Sequence, residues 1–149
     1  MGRHSIIRGS TTLVGLVREQ SQARPDHQIY AFLEGDLQEQ RAWTLAQLDE
    51  RSRAIAAFLQ QEGRAGDRAL LLYPAGLEFI GAFLGCLFSG VIAVPIQAPA
   101  AARLRRTSER IRSTLADCSP RFVLTLFSAF PLLIPGADGS PVRAVAIEA

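Results

Sequence analysis

Asp67–Pro99 reads DRALLLYPAGLEFIGAFLGCLFSGVIAVPIQAP, and between Glu78 and Arg103 the chain carries no charged residue. No other stretch is apolar enough to be buried on every side. Ala69–Tyr73 is a continuous apolar run of strand length, as expected where both faces of a parallel sheet are covered. Pro74-Ala75-Gly76 breaks it, Leu77–Ser89 has the length and composition of a helix, and Gly90 is placed to stop that helix. Val91–Val94 is a second strand, ended by Pro95. The stretch predicts a βαβ unit in a parallel α/β sheet.

A membrane span competes for the same residues. Phe79–Ala98 is twenty residues without a charge, and Gly81 and Gly85 have the spacing that lets membrane helices approach closely. Gly90, Pro95 and the β-branched run Val91–Val94 favour the soluble α/β alternative, because they fall where such a chain turns from helix to strand.

Working outward, Thr44 and Gln47 form a capping box at the clearest helix start in the chain. Leu45, Leu48, Ser52, Ile55 and Leu59 then share one helical face, and Gly63 is expected to end the helix in left-handed conformation. Upstream, a helix over about Leu13–Arg24 is capped by Ser10, Thr11 or Thr12, with Leu13, Leu16 and Val17 facing inward and Pro25-Asp26 stopping it. Gln28–Leu33 and Gln40–Thr44 read as an antiparallel pair. Downstream, Arg103–Asp117 is a helix with Leu104, Ile111 and Leu115 inward. Arg121–Thr125 is a third buried strand, and Val142–Ile147 a last one. Residues 1–12 are expected to be a flexible lead-in, and 13–149 an incomplete domain.

Composition closes several functional classes. With 48% hydrophobic and 20% charged residues the chain is globular, and a net charge of +2 is too small to argue for nucleic acid. All sixteen basic residues are arginine; there is no lysine. A Walker-type phosphate loop and Schiff-base chemistry both need that amine. The small residues Gly9-Ser10-Thr11-Thr12 resemble an anion cradle, but no strand precedes them and no lysine follows, so they are read as an ordinary cap. Arg103–Arg112 (RLRRTSERIR) holds five arginines without an aromatic residue for stacking on bases, and is read as a solvated helix face. Cys86 and Cys118 form no CxxC motif, and Cys86 is read as a small buried hydrophobe. Without an apolar leader segment, a cytoplasmic location is expected.

The order of these pieces matters. Trp43–Leu59, then Gly66–Pro99, then Arg103–Thr125 resemble the opening of an adenylate-forming enzyme, and most of all a fatty acyl-AMP ligase. Thr44-Leu45-Ala46-Gln47-Leu48 resembles the family's helix entry, and Gly66-Asp67-Arg68 its turn before a buried strand. Glu78-Phe79, Gly90 and Val94-Pro95 resemble its next helix and strand end. The Arg-Leu-x-Arg helix followed by Pro120-Arg121-Phe122-Val123-Leu124-Thr125 distinguishes this branch from acyl-CoA synthetases.

The resemblance implies part of the N-terminal subdomain of the adenylate-forming fold. A full-length member would couple a fatty acid to ATP with Mg²⁺ and pass the acyl group to an acyl carrier protein. It also implies that the Gly-rich Pro-Lys-Gly loop, the ribose ligand and the C-terminal lysine lie outside this chain. No catalytic, cofactor-binding or metal-binding residue is therefore assigned, and the chain is expected to be inactive alone. Its partner would be the remainder of the adenylation domain. The alternative is a non-catalytic α/β binding module.

Overall fold

In the computed structural model, residues 12–34, 39–97, 104–126 and 143–146 are described. The chain divides into two units, Met1–Glu50 and Arg51–Ala149.

The first unit opens with α1, Leu13–Ala23, whose N-cap is Thr12: its Oγ1 accepts the Gly15 N–H at 3.1 Å. Ser10 and Thr11 lie outside the described residues. Val17 is buried, whereas Leu13 is half exposed, so the inward face is narrower than its spacing implies. Strands β1 (Gln28–Glu34) and β2 (Glu39–Thr44) form an antiparallel two-stranded sheet, with a bulge between Gln28 and Tyr30. The capping box then starts α2, Leu45–Glu62. The Gln47 side chain accepts the Thr44 N–H at 2.9 Å, and Thr44 Oγ1 accepts the Gln47 N–H at 3.3 Å. The Leu45 and Ala46 N–H groups donate to His27 and Pro25 carbonyls, each at 3.0 Å, so the first turn leaves few orphan donors. Leu45, Leu48, Ser52, Ile55 and Leu59 are all buried, as the 3.6-residue period requires.

In the second unit β3 (Arg68–Tyr73), α3 (Leu77–Ser89) and β4 (Ile92–Gln97) form the βαβ unit. Gly90 ends α3 with φ 78°, and its N–H reaches the Cys86 and Leu87 carbonyls. The twenty-residue span is thus divided between a helix and a paired strand. Among the described residues no helix is long and apolar enough to cross a membrane.

Two expectations need correction. Gly63 does not take the left-handed conformation; the positive φ falls on Gly66, at 89°, in the turn that follows α2. Pro95 does not end its strand. It sits inside β4 opposite Leu71, and β4 is the edge of the sheet, where a missing N–H can face away from the ladder.

Helix α4 (Leu104–Cys118) leads to β5 (Phe122–Thr125), and β6 (Arg143–Ala146) follows. The segment between β5 and β6 lies outside the described residues. The four-stranded sheet has the order β4-β3-β5-β6, and every pairing is parallel. Central β3 buries Ala69–Tyr73 on both faces. On one side Ala69, Leu71 and Tyr73 meet Ile55, Leu59, Ala82 and Cys86; on the other Leu70 and Leu72 meet Ile111 and Leu115.

Candidate functional site

The sheet order sets where a site can form. From β3 the chain goes through α3 to β4 on one side, then through α4 to β5 on the other, and β6 lies beyond β5. The winding therefore reverses between β3 and β5. In open parallel sheets ligands sit outside the carboxyl ends of the strands at such a reversal. Here those ends are Tyr73 and Thr125, one step past and level with the Leu72–Thr125 pair.

Both side chains are polar and buried. Thr125 is fully enclosed and donates from Oγ1 to the Leu72 carbonyl at 2.9 Å, tying the two strands together. Tyr73 is 4% exposed, and its hydroxyl has no hydrogen-bond partner among the described residues. Burial, then neighbouring Cys86 and Glu78, hold its phenol above the usual range. Cys86 is also buried, and burial pushes its thiol up to about 12. At neutral pH both groups keep their protons, so neither the phenol nor the thiol is a general base. Alongside, α3 starts at Gly76 without a side-chain cap, and Glu78 stands in its first turn.

The opposite end of the same strands is a joint. Arg64-Ala65-Gly66-Asp67 is a turn closed by the Asp67 N–H donating to the Arg64 carbonyl at 3.1 Å. Asp67 Oδ2 accepts the Arg64 N–H at 2.8 Å and lies 3.5 Å from Arg121 Nε. Arg121 donates from Nε at 3.1 Å and Nη2 at 2.7 Å to the Glu62 carbonyl, the last of α2. Its guanidinium also lies 5.7 Å from the Phe122 ring centre. The Gly-Asp-Arg and Pro-Arg motifs thus meet in space as a fastening between α2, β3 and β5.

The other residues weighed in the sequence are dispersed. Thr12 caps its own helix. Arg110 and Arg112 are exposed, while the side chains of Arg103, Arg105 and Arg106 lie outside the described residues. Cys118 is partly exposed and far in sequence from Cys86. Among the described residues no three His, Cys, Asp or Glu converge to hold a metal. The Tyr73 phenol and the Thr125 hydroxyl, the latter committed to the Leu72 carbonyl, are not ligands that Mg²⁺ favours. Tyr73 and Thr125 escaped the sequence reading because each only looks like the end of an apolar run. That they end neighbouring strands, on opposite faces of the sheet, depends on strand order.

Comparison with known proteins matches residues 17–148 to the AMP-binding enzyme family. The chain is 41% identical over 123 residues to the medium-chain-fatty-acid–[acyl-carrier-protein] ligase JamA of Moorena producens, covering 83% of this chain and 21% of the relative. It is 35% identical to a putative fatty-acid–CoA ligase, fadD21, of Mycobacterium leprae, covering 91% of this chain and 24% of that one. The crystal structure of a fatty acyl-adenylate ligase from L. pneumophila, in complex with acyl adenylate and pyrophosphate, superposes with a TM-score of 0.82 at 34% identity. That match covers 95% of this chain and 25% of the solved one. The chain therefore spans about a fifth to a quarter of the length of these relatives.

Proposed function

The chain belongs to the AMP-binding enzyme family, and from that premise we propose that it is the N-terminal scaffold of a fatty acyl-AMP ligase. The complete enzyme would join a fatty acid to the α-phosphate of ATP, release pyrophosphate, and transfer the acyl group to an acyl carrier protein. Relatives named for the first and last of these steps support the reading. The observation that carries it is the near-complete fold match to a fatty acyl-adenylate ligase, 95% of this chain at 34% identity. Residues 13–149 form an incomplete domain on this reading. The chain contributes the parallel sheet and its switch point, and ATP and Mg²⁺ are held by segments it does not include.

The chain alone is then inactive. The test is fatty-acid-dependent exchange of pyrophosphate into ATP by the purified 149-residue chain. No signal above buffer is expected with any acyl chain length. Exchange that depends on added fatty acid would overturn the scaffold role.

A further inference from the structure

The chain concentrates its charge in one place that the scaffold role leaves unused. Arg103–Arg112 holds five arginines and one glutamate, whereas outside it eleven arginines stand against thirteen acidic residues. The run is strongly positive on a chain that is otherwise slightly negative. Four of the five arginines belong to α4, where positions 106 and 110 are one turn apart and positions 105 and 112 two. Ile111 and Leu115, 3% and 5% exposed, are packed against Leu70, Leu72 and Val123 of the sheet. Arg110 and Arg112 are exposed.

A run of this charge attracts an anionic partner, and its neighbours narrow the kind. A lipid surface calls for a free apolar face on the helix, and the apolar positions of α4 are already packed on the sheet. Single-stranded nucleic acid calls for aromatic side chains among the charges, and Arg103–Arg112 has none. An acidic protein surface needs neither, because guanidinium forks meet carboxylates directly. Covering the same arginines with the rest of the enzyme would require a partner for each buried charge.

We infer that the outward side of α4 is a docking surface for an acidic protein, the acyl carrier protein that receives the acyl group. This rests on the fatty acyl-AMP ligase reading above. A substrate borne on a protein must be met at the enzyme surface, and complementary charge steers such encounters and fixes their register.

Fluorescence anisotropy tests it. A labelled, phosphopantetheine-bearing acyl carrier protein of strongly negative net charge is titrated with the 149-residue chain at about 20 mM and about 200 mM salt. The triple variant Arg106→Gln, Arg110→Gln and Arg112→Gln is compared with Arg18→Gln, Arg53→Gln and Arg64→Gln, which removes the same charge from exposed positions elsewhere. Wild-type binding should weaken steeply with salt, about ten-fold in the α4 variant and less than about two-fold in the other. Absence of binding at low salt overturns the inference. So does equal weakening by the two variants, which would mean attraction to net charge without a docking surface. Duplex DNA or phosphatidylserine vesicles that bind through α4 more tightly than the carrier would give the surface to another partner and likewise overturn it. Phenylglyoxal modification of the wild type covers the case of a misfolded variant: the carrier should shield the α4 arginines more than Arg18, Arg53 and Arg64, and equal shielding is a refutation. The ligase reading is judged separately by pyrophosphate exchange, which uses acid and ATP and no carrier.

Discussion

At the scale of single residues, glycine illustrates how position and contact divide the work. At Gly63 the demand is for space, not for a dihedral angle: a Cβ there would stand 2.7 and 2.8 Å from the buried Phe122 ring. Gly63→Ala should cost about 1–3 kcal/mol through overpacking, read from urea midpoints. Gly66→Ala meets nothing within 4 Å but must hold φ 89°, so its cost is strain alone, about 1–2 kcal/mol. Arg121→Ala removes two hydrogen bonds to one carbonyl, and with that side chain 54% exposed about 0.5–1 kcal/mol is expected. The buried thiol gives a pH prediction. Burial raises the folded-state value of Cys86 above the unfolded one, so its contribution is whole below about pH 8.5 and is lost as pH rises toward about 12. Urea midpoints should therefore fall on the alkaline side. In the native chain iodoacetamide should label the partly exposed Cys118 before Cys86, and equal rates would contradict the packing.

At the scale of elements, what was legible followed from local chemistry. The capping box, the buried face of α2 and the helix stop at Gly90 each depend on residues within one or two turns, and each was readable. The fate of Pro95 and Leu13 depended on which neighbour lies beside β4 and α1, which spacing does not encode. The Gly81–Gly85 spacing had two physical meanings. The structure selects close packing within the sheet-covering helices: a Cβ on Gly85 would lie 2.6 Å from Ile55 Cγ2 on α2. Two element-scale predictions follow from burial. Leu71→Ala, at the centre of a strand with both faces covered, should cost about 2–5 kcal/mol. Thr44→Ala should cost about 1 kcal/mol, since it removes only one arm of the box. Chemical denaturation that ranks the two the other way would contradict the assignment of the core.

At the scale of the whole molecule, the α/β class and the family were legible because the motifs occur in order. The site was not. Strand order, the reversal between β3 and β5, and the placement of Tyr73 and Thr125 at one end of the sheet come from pairing between distant segments. The same long-range pairing brings Asp67 to Arg121, which explains why two separate family motifs both carry charge on an otherwise apolar framework. The account's central claim is that this chain supplies framework and that the chemistry lies in other segments of the enzyme. The most direct measurement replaces the matched quarter of the L. pneumophila ligase with this chain and assays fatty-acid-dependent pyrophosphate exchange. The account predicts that the chimaera retains exchange while the isolated chain shows none. A chimaera that melts cooperatively and binds acyl adenylate but has lost exchange would place essential chemistry in the replaced quarter, and would contradict it.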